Sequence, residues 1–404
     1  MLHILLVVVA VLGCVGWLVG TVFALRTRAA VKPLADQPLP DDLTTLPSLS
    51  VLVPARNEVD TLPAAAETLL EQELPGLELV LVDDRSDDGT GAAVDALAAR
   101  DERVTPIHVT ELPEGWLGKN HALARAAEAA RGDWLLFTDA DVHFAPGSLA
   151  RAVAAAEARG LDHVVVLPQL PPEGFFLEAA LGAFGKSFTV SQRMWAVEDP
   201  DSSAAVGVGA FNLVRRSALE RTPGFDWLRL DVADDLALGR MLKDAGSRCG
   251  VYTGRGQVSV RWYTTLRGMV HGLEKNTFAV AGCRATPLVF GALASLALDA
   301  APLLALHGLG LPWLRWLGAA TLLLSVPVMI SLARWSARPV LPALLYPVGS
   351  VLFAYILLRS AWLGLQRGGI VWRGTFHPSA ELRAGSRVGM ISGVRPGGSP
   401  PAAP

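Results

Sequence analysis

The chain has 404 residues, 51% hydrophobic and only 18% charged, against roughly a quarter charged in soluble domains, which excludes a disordered polymer. Its 35 Lys and Arg against 38 Asp and Glu leave a net charge of -3, so no basic field gathers nucleic acid and none is expected as a partner. Cys14, Cys249 and Cys283 are too few and too scattered for a disulfide framework or a CxxC zinc site.

In chain order, residues 2–25 contain no Asp, Glu, Lys or Arg, a run long enough at about 1.5 Å per residue to cross a ~30 Å hydrocarbon layer. The run is too long for a signal peptide, and the basic residues Arg26, Arg28 and Lys32 follow it. An uncleaved anchor (1–25) is expected, with its linker (26–45) and the next segment in the cytoplasm. Residues 46–277 read as one water-soluble domain. Flat apolar runs at 49–53, 77–82, 134–138 and 163–167 suit strands buried on both faces of a mostly parallel sheet. Ala-rich stretches at 61–72, 91–100, 120–131 and 148–159 have helical spacing, and the alternation gives an α/β fold. A membrane bundle is expected over 278–366. Residues 285–314 carry only Asp299, while 316–333 and 339–358 carry no charge. Together with the anchor this makes a multi-pass protein. Four spans place the C-terminus outside, whereas Arg367, Arg373, Arg383 and Arg387 in the juxtamembrane segment and tail (367–404) favour the cytoplasmic side. After His377 the Gly, Pro, Ser and Ala content predicts a disordered tail.

In open α/β sheets, ligands bind beyond the carboxyl ends of strands. The residues there are acidic: Pro54-Ala55-Arg56-Asn57-Glu58, Asp83-Asp84-Arg85-Ser86-Asp87-Asp88-Gly89-Thr90 and Asp139-Ala140-Asp141. The first loop lacks G-x-G-x-x-G, which argues against a dinucleotide-binding dehydrogenase. Residues 180–187 imitate a phosphate-binding loop, but no strand precedes them, and 175–188 reads better as a membrane-facing amphipathic helix. Its Phe175, Phe176, Phe184 and Phe188 would enter the headgroup boundary. Asp139 and Asp141 offer hard oxygen ligands to Mg²⁺ or Mn²⁺; the plainer reading is a pair of surface turn carboxylates. His143 is a weaker third ligand candidate. Asp299, costly in lipid, is either a functional contact or a residue facing another helix.

Read together with Gly115-Trp116-Leu117-Gly118-Lys119 and Asp234-Asp235, these motifs run from Val53 to Asp235 in an order that resembles the membrane-associated inverting glycosyltransferases of family 2. Within that family the chain is most similar to the ceramide glucosyltransferase, hopanoid-associated and carotenoid-modifying branch. The resemblance implies a GT-A type α/β fold, a mostly parallel sheet flanked by helices, with one N-terminal and about three C-terminal transmembrane helices. It implies a donor site at Pro54, Arg56, Asn57, Glu58, Asp83, Asp84, Lys119, Asp139, Arg261 and Trp262, and a metal held by Asp139 and Asp141. Asp235 is the implied base that deprotonates the acceptor, with Asp234 beside it where the family more often has Glu. Helix capping is the plainer role for Asp235, turn formation for Asp87, and interfacial anchoring for Arg261 and Trp262. The implied reaction moves a sugar from a nucleotide-diphosphate sugar, a UDP-sugar first, to a lipid hydroxyl at the plasma membrane, with the catalytic domain cytoplasmic. The alternatives are a polyprenyl-phosphate or polysaccharide sugar transferase of the same fold, and, from another class, a catalytically silent scaffold or a transporter.

Overall fold

The computed structural model describes residues 1–387. The chain begins with α1 (Leu2–Ala30), then β1 (Lys32–Pro33), β2 (Leu49–Ala55), α2 (Leu62–Leu70), β3 (Leu77–Asp84), α3 (Thr90–Arg100), β4 (Val104–Val109) and α4 (Gly118–Ala129). It continues with β5 (Trp134–Phe137), β6 (Val142–Phe144), α5 (Ser148–Arg159), β7 (His163–Leu167), α6 (Phe175–Ser191), β8 (Asn212–Arg215), α7 (Arg216–Glu220), α8 (Phe225–Leu228) and α9 (Asp234–Asp244). The last part holds β9 (Cys249–Thr253), β10 (Val258–Val260), α10 (Leu266–Val280), α11 (Ala285–His307), α12 (Pro312–Trp335), α13 (Val340–Leu344), α14 (Tyr346–Arg367), β11 (Gly369–Trp372), β12 (Thr375–Pro378) and α15 (Ser379–Gly385). These elements form two compact units. Of the described residues, an α/β unit takes 31–170, 196–261 and 384–387; a helical unit takes 1–30, 171–195 and 262–383.

The α/β unit is built on an eight-stranded sheet of order β1-β9-β7-β8-β5-β2-β3-β4. Its pairings are parallel except around β8, which runs antiparallel to both β5 and β7. Every residue of β2 and β3 is buried, because helices cover both faces of a parallel sheet; this is why their sequences are mostly apolar rather than alternating. One covering layer sets Leu52, Val80, Val82, Leu135 and Phe137 against Ala122, Leu123 and Ala126 of α4 and Leu238 and Met241 of α9. α4 and α9 carry the residues of interest at their first turns, so this core fixes where those turns stand. The strand β4 carries Pro106, which lacks the N–H a central strand needs, and it accordingly lies at the sheet edge. The mostly parallel, helix-flanked sheet is the one the resemblance implied.

In the helical unit, α1, α11, α12 and α14 are long and apolar enough to cross a membrane, one N-terminal and three C-terminal. The chain is membrane-associated. The last of these helices begins at Tyr346 and runs to Arg367, later than the uncharged window 339–358 suggests. Two features cause the shift. Pro339 and Pro342 confine the preceding residues to the short α13, and Arg359, inside α14, is neutralised by Glu274 of α10 at 3.3 Å. The expected tail is also ordered in part: β11 and β12 form a hairpin, and Leu382 of α15 is buried, enough apolar burial to hold 369–385. The remainder of that expectation, 388–404, lies outside the described residues.

Residues 171–195, which the sequence places inside the α/β segment, group with the long helices. Here α6 turns its small residues Ala179, Ala180 and Ala183 inward. Gly349 of α14 lets the two backbones meet, since a Cβ there would run into the Ala179 carbonyl. The charges of α6 also point inward. Glu178 accepts from Arg338 at 2.8 Å, and Lys186 grips Asp299 at 2.6 and 2.8 Å, with Trp17 Nε1 and Ser350 also donating to Asp299. Asp299 thus faces other helices and is paired. Phe176 is exposed, while Phe184 packs against Phe188, Phe353 and Trp262.

Candidate active site

Three strand ends and two helix starts of the α/β unit converge on one acidic cleft. The loop after β2 is stitched to the loop after β3 by local hydrogen bonds. Asn57, in the left-handed region at φ 56, donates its backbone N–H to Ser86 Oγ (3.0 Å), and its Oδ1 accepts from Asp87 N–H (3.0 Å). The N–H of Glu58 donates to Thr90 Oγ1 at 2.8 Å, and that of Val59 to Asp88 at 3.2 Å. Pro54 is buried at the strand end, and Arg56 and Glu58 are half-buried. Asp87 therefore serves the turn through its backbone.

The two adjacent carboxylates after β3 have different tasks. Asp84 is buried and held by Arg85 at 2.7 and 3.0 Å; it also abuts Gly118, which has no side chain to obstruct it. Asp83 accepts from the Ser86 N–H at 3.3 Å and faces His108 at 3.5 Å. Asp83 keeps more of its acceptor capacity unused than Asp84 does.

Lys119, on the first turn of α4, connects the remaining groups. Its ammonium lies 2.8 Å from Asp139 Oδ1 and 3.2 Å from Asp234 Oδ2. Burial opposes its charge, but Asp139, Asp234 and Asp235 outweigh that and hold its pKa above the ordinary lysine value. Burial, only partly offset by Lys119, raises the Asp234 carboxyl. Burial and then the neighbouring Asp234 raise Asp235. Asp235 Oδ2 accepts from the Gly209 N–H at 2.8 Å, and its Oδ1 from Leu236 N–H at 2.8 Å. Both protons come from backbone, so the carboxylate is held in one orientation while burial keeps it a better base than a surface aspartate. Lys119, Asp139, Gly209, Asn212, Asp234 and Asp235 line the cleft.

Residues 207–209 carry a part of this site that the sequence does not announce. A Cβ on Gly207 would overlap the Asp235 carbonyl, and one on Gly209 would stand 2.5 Å from Asp139 Oδ2. Gly-Val-Gly before a short apolar strand is the only trace such close approach leaves in a sequence.

Asp141 is half-buried, and its carboxyl is pushed up to about 6 by burial and then by the charges of Asp139 and Glu58. That concentration of negative charge on hard oxygen donors suits a divalent cation. Among the described residues no group of three His, Cys, Asp or Glu gathers as a metal cage, so an ion on Asp139 and Asp141 would complete its shell with diphosphate oxygens and water. His143 sits in β6 opposite Ser259. Arg261 follows β10 in the α/β unit. Trp262 begins a stretch of the helical unit, where its ring lies 5.1 Å from Phe184 and 4.6 Å from Tyr263.

Residues 50–222 match the family model for glycosyl transferase family 2. The chain carries a family 2 glycosyltransferase domain. Curated relatives include a 4,4'-diaponeurosporenoate glycosyltransferase of Staphylococcus haemolyticus, 26% identical over 57% of this chain and 61% of its own length. Glycosyltransferase AglD of Haloferax volcanii is 40% identical over 23% of this chain and 15% of its own. The chain thus spans about three fifths of the first relative. Among solved structures, a mannosyltransferase of Pyrobaculum calidifontis, PcManGT, determined with GDP-Man and Mn²⁺, aligns over 89% of this chain and 99% of its own. Its TM-score is 0.51 at 21% identity, a likeness of fold. It and this family 2 domain share the GT-A architecture.

Proposed function

We propose that the protein transfers a sugar, with inversion, from a nucleoside-diphosphate sugar, a UDP-sugar first, to a hydroxyl of a membrane lipid. Asp235 carries this reading: a buried carboxylate oriented by two backbone N–H groups at the edge of a cleft that also holds Lys119 and Asp139. In that role it removes the acceptor's proton as the oxygen attacks the anomeric carbon opposite the leaving diphosphate. Lys119 offsets diphosphate charge, Asp83 with the loop 54–58 holds the nucleoside, and Arg261 lends a guanidinium to phosphate oxygens. A Mg²⁺ or Mn²⁺ on Asp139 and Asp141 would offset the charge of the departing diphosphate.

The four apolar helices support a lipid acceptor. Arg26, Arg28 and Lys32 after α1 support a cytoplasmic catalytic domain at the plasma membrane. The aromatic set Phe184, Phe188, Trp262 and Tyr263 would receive the lipid. The test incubates membranes carrying the protein with radiolabelled UDP- and GDP-sugars and lipid extract. Label enters the organic phase if the reading holds; label that stays soluble for every donor, despite nucleotide release, defeats the lipid acceptor. The name of the staphylococcal relative points to a second acceptor type, a carboxylate, which attacks without a base. Asp235→Asn separates the two: it abolishes transfer to a hydroxyl and spares transfer to a carboxylate.

A further inference from the structure

We infer that residues 385–387 form a strap that sets the position of the catalytic acidic pair, acting through the buried Asp231; this rests on the reading of Asp235 as the base. Asp231 is 2% exposed and stands three positions before Asp234, the first residue of α9. Its carboxylate is held by the strap. Ser386 Oγ donates to Oδ1 at 2.8 Å, and the Arg387 N–H bridges Oδ1 and Oδ2 at 3.0 Å each. A carboxylate taken out of water is costly unless donors replace the lost hydration, and removing those donors leaves it stranded.

The strap meets the loop closely. A Cβ on Gly385 would come within 2.6 Å of Leu230 Cβ, the root of that side chain rather than its movable end. Glycine is therefore required by proximity and not by backbone angle. From the other side, the same loop is held by the turn that carries Lys119. Asn120 Nδ2 donates to the carbonyls of Leu228 and Asp231 (3.0 Å to the latter), and Leu117 N–H donates to Arg229 O at 2.9 Å. Residues 228–231 are thus clasped between the start of α4 and the strap, and the chain passes from that clasp directly into Asp234 and Asp235. Asp231 is not among the residues that line the cleft, so it acts as a positioning residue.

The experiment uses the full-length protein in detergent, with nucleoside diphosphate release and sugar transfer measured for Ser386→Ala, Ser386→Thr, Arg387→Pro, Arg387→Ala and Gly385→Ala. Hydrogen exchange is followed over 228–236. Arg387→Pro removes the donating N–H, whereas Arg387→Ala keeps it. Ser386→Ala is expected to lower kcat about threefold to tenfold with donor KM within about twofold, and Ser386→Thr to restore it. Arg387→Pro and Gly385→Ala should lower kcat tenfold or more and speed exchange at 228–236, while Arg387→Ala matches wild type. Unchanged exchange in Arg387→Pro, or kcat untouched in Ser386→Ala and Arg387→Pro while Asp235→Asn is inactive, overturns the strap. Full hydroxyl transfer by Asp235→Asn overturns the assignment of the base instead, and the exchange measurement then judges the strap alone.

Discussion

Replacing Lys119 by methionine tests the electrostatic plan of the cleft. At an effective dielectric of about 20, an ammonium 2.8 Å from Asp139 and 3.2 Å from Asp234 gains about 6 and about 5 kcal/mol of gross attraction. Neither is a net value. The Asp139 side chain is 41% exposed, so solvent screening leaves its share near 1 kcal/mol, whereas that of Asp234 is 9% exposed and carries most of the effect. Removing one partner of a buried pair costs roughly 3–5 kcal/mol, because the other charge stays behind. Lys119→Met should therefore lower stability by about 3 kcal/mol at pH 7.5, which is about 6–12 °C in Tm for a domain of this size. The sign with pH follows from Asp234. Its folded-state pKa, already raised by burial, rises further without Lys119. The stability linked to a raised carboxyl is present below its unfolded pKa and is lost as pH climbs through the folded one. The penalty should shrink toward pH 5, and Lys119→Met combined with Asp234→Asn should recover about 2 kcal/mol. Scanning calorimetry of the four proteins at pH 7.5 and 5 measures this. A penalty under about 1 kcal/mol, or one that neither pH nor the second substitution changes, refutes the reasoning.

Asp235→Asn should cut transfer to a hydroxyl acceptor by about 10²–10⁴-fold with unchanged folding; the wild-type rate should fall on the acid side at a pH above the ordinary aspartate range, because burial and Asp234 raise this carboxyl and a base must be deprotonated, and a pH–rate series reads both. Asp141→Asn, melted without divalent ions, should be more stable than wild type by about 2 kcal/mol at pH 8 and equal to it near pH 4, since a carboxyl held near 6 loses its stabilising proton as pH rises; the same variant should show no metal-stimulated turnover. Gly207→Ala, whose new methyl would collide with the Asp235 carbonyl, should cost about 3 kcal/mol and most of the activity; a melting curve and turnover matching wild type would show that the loop yields freely.

The four strands that read most clearly, at 49–53, 77–82, 134–138 and 163–167, are each paired on both sides in the sheet interior, so continuous apolar character is their physical signature. Edge strand β4 hides behind Pro106 and half-exposed residues, and β8 behind Asn212, whose Oδ1 meets His163 Nε2 at 3.0 Å. The acidic motifs are legible because strand ends concentrate polar side chains. Gly207 and Gly209 are not, since what demands them lies in distant chain segments, the Asp235 carbonyl for the first and the Asp139 carboxylate for the second. The inward charges of α6 escape a pattern that assumes charged residues face water. Their partners, Asp299 of α11 and Arg338 in the connection between α12 and α13, are not brought to α6 by sequence spacing alone.

Those two ion pairs also impose an order on biosynthesis. Lys186 precedes its partner Asp299 by 113 residues, and Glu178 precedes Arg338 by 160. At about 5–20 residues per second, Lys186 is made about 6 to 23 s before Asp299 exists to neutralise it. During that interval its unpaired Glu178 and Lys186 keep it from entering an apolar layer, while Phe175, Phe176, Phe184 and Phe188 keep it from dissolving freely in water. The nascent chain therefore waits as a half-committed helix, and the vulnerable interval in making this protein runs from the synthesis of α6 until Asp299 and then Arg338, which follows α12, have been made.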